Sequence, residues 1–566
     1  MRKTRKGIVG AAAAFSALTL LLAGCSQGGT EGTGENTEAG QATIDDAHSV
    51  GAMDNYAVGT TFKASEAIDI SLLYRDHPNY PVKDNWMILQ QLQANQNVTF
   101  TRTDIPLSDW QTKRGLVITG GDAPELMPVF YTGEETQYVA SGALLPVSDY
   151  VEYMPNFQKD LQDFGLSDFI ETKRQGDGKY YLLPGLMETS KYQYSIIVRD
   201  DAWKAAGLTS DPQTMDDLKT ALQKLKDLGS CGWALSAANN AQDILQAFSA
   251  GYNTQAGGWG LQGSGVIWDA SANKYVFAGS QDGYKQFITF MADLVSSGLM
   301  DPESMTQGTN DNSAAEAKFA SSQACAITGN DQNANTYQQD LKDAGVDTTV
   351  HMIMVPDGPS GALMPGGTRF SSGMILGADI ANDPHFKAIL QFIDWLYYSP
   401  EGVEFAQWGV QCPSGVTDST KCTYTKAADG TRTLLPDIRN SQGLGDPSAP
   451  KMLNVEYGFA NGVFWPANGT FDDLMMSYYS PMEQNFMKTM ANKKEMATAP
   501  WTPMDSDTLE QVSALYNTLK DTTLTAMTQF ILGQKNVTSD WDAYVSSLQS
   551  ASVDQYVQLY NDNVKQ

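Results

Sequence analysis

Several aromatic side chains stand where periodic apolar packing does not account for them. Tyr74 and Arg75 close a short alternating run that begins at Ile68. Phe130 and Tyr131 close a second run, just after the turn at 120–124. Tyr192 and Tyr194 precede a third. Trp259 sits in Gly257-Gly258-Trp259-Gly260, too glycine-rich for a core strand, and Phe370 follows Gly366-Gly367. Phe464 and Trp465 stand before Pro466 in a stretch rich in Met and aromatics. Aromatic faces cover the apolar C–H faces of a sugar ring, and Arg, amides and carboxylates satisfy its hydroxyls. These positions therefore predict a surface for a polyhydroxylated ring ligand, with core packing as the competing reading for each. Trp203, Trp395 and Trp541 lie on helical apolar faces and are assigned to the core.

Catalytic constellations are missing. His48, His77, His351 and His385 are scattered, with no His-Glu-x-x-His, and there is no Gly-x-Ser-x-Gly elbow or phosphate-binding Gly-rich loop. Ser271 and Lys274 have Ser-x-x-Lys spacing, but they lie in a polar turn with no Lys-Thr-Gly after them. The expectation is a protein that is not an enzyme and needs no cofactor or metal. A surface glycosidase using two of the 65 acidic residues is the enzymatic alternative.

The N-terminus carries a short basic segment, an uncharged run over 7–23 and then Leu22-Ala23-Gly24-Cys25. This is the layout of an export signal, and its end resembles the bacterial lipobox. It predicts a signal peptide over 1–24 and a palmitate-type lipid on Cys25. Residues 25–65 are expected to form a flexible tether, because Gly, Thr, Glu and Asn dominate and large apolar residues are nearly absent before Met53. The net charge is −28, and −32 once the four basic residues of the signal are removed. That excludes nucleic acid and anionic lipid as partners of the body. Cys231, Cys325, Cys412 and Cys422 allow three pairings, which spacing does not decide. An exported chain keeps disulfides, and Cys412 with Cys422, close together in a Gly/Pro/Ser/Thr-rich stretch, is a candidate loop disulfide.

The elements that must position these residues alternate. Strands are predicted over 68–73, 98–101, 125–130, 194–198 and 324–328. Helices are predicted over 84–93, 107–115, 200–206, from 214, 282–297, 314–320, 384–398, and several times after 507. Strand–helix alternation argues for parallel α/β sheets. About 500 residues beyond the tether argue for two lobes.

In this order stand Gly121-Asp122-Ala123-Pro124-Glu125-Leu126, Gly178-Lys179-Tyr180-Tyr181-Leu182-Leu183-Pro184 and Ile197-Val198-Arg199-Asp200-Asp201-Ala202-Trp203. Gly298-Leu299-Met300-Asp301-Pro302-Glu303, Lys318-Phe319-Ala320-Ser321, Phe392-Ile393-Asp394-Trp395-Leu396, Ser399-Pro400-Glu401-Gly402 and Trp541-Asp542-Ala543-Tyr544-Val545 follow. Their succession resembles the family 1 extracellular solute-binding proteins, in the long branch of oligosaccharide receptors. The resemblance implies an α/β, two-lobed periplasmic-binding-protein-like fold of type II with the ligand cleft between the lobes. It places the first lobe at 66–195 and 352–385 and the second at 196–351 and 386–566, with crossings near 194–196, 350–352 and 384. It implies a lipid-anchored monomer on the outer face of the cytoplasmic membrane, handing an oligosaccharide to ABC permease subunits. A peptide or other solute on the same fold is the alternative, and a glycan-tethering surface protein another. The calcium loop of some members would fall at 225–231, which lacks the alternating oxygen ligands.

Overall fold

The computed structural model describes residues 43–257, 264–308, 312–366, 369–466 and 470–564. The expected signal peptide over 1–24, Cys25 and Trp259 lie outside them. Residues 41–566 form one compact unit built on two sheets. The strands of the first are β1 (Ile68–Asp76), β2 (Val98–Pro106), β3 (Leu126–Phe130), β4 (Leu182–Leu186) and β9 (Phe370–Leu376). Those of the second are β5 (Ser195–Arg199), β6 (Trp233–Ser236), β7 (Ala324–Gly329) and β8 (Val350–Met352). The spatial orders are β2-β1-β3-β9-β4 and β8-β5-β7-β6.

The sheets are mixed rather than purely parallel. β9 runs antiparallel to β3 and β4, and β5 runs antiparallel to β7 and β8. The reason lies in the connections: β5 and β9 are the first strands after the chain crosses from one sheet to the other. Each enters at the edge where the parallel strands end, and so runs backwards. Residues 187–194 make the first crossing, 353–369 the second.

Local chemistry explains most element ends. Thr214 caps the helix Met215–Asp227, accepting from Asp217 N–H while the Asp217 carboxylate accepts from Thr214 N–H. Pro400 and Pro481 stand in the first turns of helices capped by Ser399 and Ser480. The expected helix over 84–93 begins only at Met87 and passes into a π turn over Leu92–Gln96, which ends on left-handed Asn97.

The two large hydrophobic cores, beside a small third cluster around Ala250, Ile267, Ala278 and Met496, correct the sequence-based division. The helix Phe386–Tyr398 and the chain onward to Tyr479 pack into the first core, with β1–β4 and β9, not into the second. The second core takes residues 192–355 and resumes at Phe486, where the helix Pro481–Thr489 begins a run that includes Ser506–Ile531, Trp541–Ser550 and Val553–Asp562. The third crossing is therefore at 480, not at 384. The helix Phe386–Tyr398 is apolar on nearly all sides; that composition demands burial without saying in which core.

The tether ends earlier than its composition suggests. Phe62 is 0% exposed and packs on Phe392 and Tyr56. Tyr56 Oη donates to Asp394 Oδ2 at 2.9 Å, and Met53 N–H donates to Gln391 at 2.9 Å. Residues 44–65 are part of the first lobe. Both cysteine pairs close: Cys412 with Cys422 as expected, and Cys231 with Cys325, which joins the approach to β6 to β7.

Candidate functional site: the facing strand ends

The C-terminal ends of the parallel strands and the starts of β5 and β9 converge where the chain crosses. In open α/β sheets this edge is where ligands bind, because connecting loops there leave a crevice. From the first lobe come Tyr74, Arg75 and Asp76 at the end of β1, Tyr131 after β3, and Phe370, paired with Leu186. From the second come Asn239 after β6, Asn330 and Asp331 after β7, and Tyr194, which precedes Ser195, itself paired with Gly329.

Tyr131 is 52% exposed. Its backbone N–H donates to Glu134 Oε2 at 2.9 Å. Val129, two residues earlier, has φ 66°, an outlier for a β-branched residue, and the β3–β9 register shifts at Gly373 and Met374. The strand end is thus bent where Tyr131 leaves the sheet. Tyr131 is within electrostatic reach of Tyr80 on its own lobe and of Tyr194 from the other.

The second-lobe wall is equally unusual. Asn239, Asn240 and Ala241 hold φ of 53°, 52° and 57° in succession. Strain of this kind costs about 1–3 kcal/mol per residue and gathers at functional sites. The turn brings Asn239 Nδ2 to Asp243 Oδ1 (3.3 Å), and Thr328 Oγ1 donates to Asp243 Oδ2 (3.2 Å). Burial raises the Asp243 carboxyl to about 6, against the lowering effect of these donors. Tyr194 feels Asp243 and lies against Asn330.

At the floor, Lys191 of the first crossing places its ammonium 4.0 Å from the Tyr479 ring centroid and 3.4 Å from Glu483 Oε1. Burial, and then the neighbouring Asp331 charge, push the Glu483 carboxyl up to about 10. The shift favours its protonated form, which can donate as well as accept.

Ten aromatic and basic positions singled out in the sequence now separate. Phe130 packs against Trp110, Tyr138 and the Arg114 guanidinium, and Phe464 against Tyr74 and Phe100. Both are buried core residues with no polar atom to offer, so they leave the candidate site. Phe370 packs on Phe169 and beneath Lys173. Tyr192 is buried in the second core, and Arg75 is half-buried beside Gly462. Tyr74 and Trp465 are also buried, 0% and 5% exposed, so the competing core reading accounts for their rings. Their polar tips nevertheless have no hydrogen-bond partner, as is true of the Tyr479 hydroxyl. Buried polar atoms are nearly always satisfied; other buried rings, among them Trp110, Tyr284, Trp408 and Tyr478, share the feature, and Tyr74 and Tyr479 are set apart by lying in the end of β1 and against Lys191. Tyr131, Tyr194 and Trp259 were the remaining candidates; the last is outside the described residues.

Sequence reasoning missed Lys191, Asp243, Asn330, Asp331, Tyr479 and Glu483. The first five carry no motif, although the strand-end rule would have reached Asn330 and Asp331 directly. Among the described residues no group of three or more His, Cys, Asp or Glu is placed to hold a metal. The stretch 225–231 is the end of the helix Met215–Asp227 and a turn leading to the disulfide at Cys231.

Residues 87–414 match the family model for bacterial extracellular solute-binding proteins. The fructooligosaccharide ABC transporter substrate-binding protein FusA of Streptococcus pneumoniae serotype 4 is 23% identical over 535 residues, 88% of this chain and 91% of that protein. The structure of S. pneumoniae FusA in complex with kestose superposes with a TM-score of 0.63 at 18% identity, covering 88% of this chain and 98% of the other. An HMO-binding, ABC-transporter-associated solute-binding protein from Bifidobacterium longum infantis gives 0.62 at 17% identity, covering 88% and 98%. The solved structures share the two-lobed fold described above.

Proposed function

This chain belongs to the bacterial extracellular solute-binding proteins, and we propose that it captures an oligosaccharide between its lobes and delivers it to an ABC permease. The observation that carries the reading is the meeting of the two lobes' strand ends, where Tyr131 lies within electrostatic reach of Tyr194 and the Tyr74 and Tyr479 hydroxyls have no hydrogen-bond partner. A ring face beside an available donor is the pairing that a sugar needs. The fructooligosaccharide-binding relative points to the same ligand class. Lys191, one cation that could anchor a peptide carboxylate, is engaged by Glu483 and Tyr479.

Capture without turnover is part of the proposal. Its support is the family match, which is to solute-binding proteins. We further propose that Cys25 carries the lipid that holds the protein at the membrane, with processing after Gly24.

A thermal-shift screen of the purified protein tests the reading, using fructo-, malto- and xylo-oligosaccharides beside di- to pentapeptides. Ligand at 100 times its Kd adds about 2.7 kcal/mol to native stability. An oligosaccharide should raise the melting temperature and be recovered intact by mass spectrometry. A shift with peptides alone contradicts the ligand class, and recovery of shortened sugar contradicts capture without turnover.

A further inference from the structure

The turn that follows β1 carries a feature that the site above does not use. His77 and Tyr80 bridge across Pro78 and Asn79, and their rings stack with centroids 4.4 Å apart and planes within 3°. The turn is fixed from both sides. Asn79 N–H donates to His77 Nδ1 at 3.2 Å, and Val82 N–H donates to Asp76 Oδ1 at 2.9 Å. With Nδ1 accepting, the His77 proton sits on Nε2; burial and then the Arg75 charge hold its pKa below the usual value. The ring is neutral at pH 7. Both residues are half-buried, and Tyr80 is not among the side chains packed on the first core, whereas Val82 two residues on is. These parallel aromatic rings lie beside Arg75, which is hydrogen-bonded to Tyr80, and within electrostatic reach of Tyr131.

We propose that the His77–Tyr80 stack is an outer subsite for one sugar ring, beyond the units held between Tyr131 and Tyr194. It makes the protein select oligosaccharides over disaccharides. The neutral paired rings supply an apolar face for C–H groups, and Arg75 and Asp76 supply hydrogen bonds to hydroxyls. The inference rests on the oligosaccharide reading above.

Calorimetric titration against length series decides it: sucrose with inulin-type fructo-oligosaccharides of three to six residues, and malto- and xylo-oligosaccharides of two to six. The wild-type protein should bind the longer members of its preferred series about tenfold or more tighter than the disaccharide, which is about 1.4 kcal/mol. Tyr80→Leu and His77→Leu, which keep bulk and remove a ring face, should each reduce that preference to about threefold or less with disaccharide affinity unchanged. Tyr131→Leu should weaken all lengths alike. Two variants are used so that a lowered melting temperature in one leaves the other as the test. The subsite is overturned if the wild type shows no length preference, if both Leu variants keep it, or if both weaken every length equally. Failure of the wild type to bind any series is a different result: it overturns the oligosaccharide reading, and the subsite falls with it.

Discussion

The side chains that matter most at the site are those whose burial and hydrogen bonding disagree. Tyr74 is enclosed by Trp86 and Phe464, so its ring belongs to the core while its hydroxyl goes unpaired. Tyr74→Phe removes the hydroxyl alone. The unliganded protein should melt no lower, because no protein hydrogen bond is lost, and oligosaccharide affinity should fall by about 0.5–1.5 kcal/mol, the net value of one hydrogen bond. A lower melting temperature with unchanged affinity would return Tyr74 entirely to the core. Asp160 makes the same point away from the cleft. Burial, and then the charge of Asp394, raise its carboxyl to about 8, against ~3.9 in an unfolded chain. Between those values the native protein holds a proton that the unfolded chain has released, so stability is fully present below ~4 and is lost as pH rises through about 8. Melting temperature should therefore fall between pH 6 and 8, and Asp160→Asn should flatten that fall; parallel profiles for the two proteins would contradict the assignment. Residue types hinted at the ligand chemistry in the sequence. They did not tell Tyr131, which leaves the sheet on a bent strand end, from Phe130 one position earlier, which faces the core, because that difference is made by the φ of Val129 and the register shift opposite it.

Elements were legible where local chemistry sets their ends and less so where tertiary packing does. The alternating run from Ile68 and the helix start at Thr214 were legible in the sequence, and the capping box at Thr214 is the structural reason for the second. The segment 44–65 was not: its composition is that of a linker, and it is ordered by two positions, Tyr56 and Phe62, that find partners on a helix more than 300 residues away. Phe62→Ala should cost about 3–5 kcal/mol, as for other large core truncations, read by denaturant unfolding. A change within about 0.5 kcal/mol would make this segment the tether that its composition suggests. The helix Phe386–Tyr398 failed in another way. Its apolar surface announced burial, but which of two cores receives it depends on Asp394, which accepts hydrogen bonds from Tyr56, Asn156 and Phe157, contacts that no periodicity encodes.

Across the whole molecule, two sheets present their strand ends to a common crevice, and three chain crossings run beside it. A ligand that touches both lobes stabilises any arrangement in which both contacts are made, by as much as the second set of contacts contributes. The order of motifs along the chain disclosed the two-lobed plan. It could not disclose the walls, since Tyr194, Asp243 and Asn330 are brought together by strand pairing between β5 and β7 rather than by spacing. Hydrogen–deuterium exchange on the purified protein, with and without a saturating oligosaccharide, tests the central claim most directly. Protection is predicted in both walls at once: residues 74–80 and 129–134 of the first lobe, and 191–195, 237–243 and 329–331 of the second. Protection confined to one lobe, or centred on the opposite ends of the sheets, would contradict capture between the lobes.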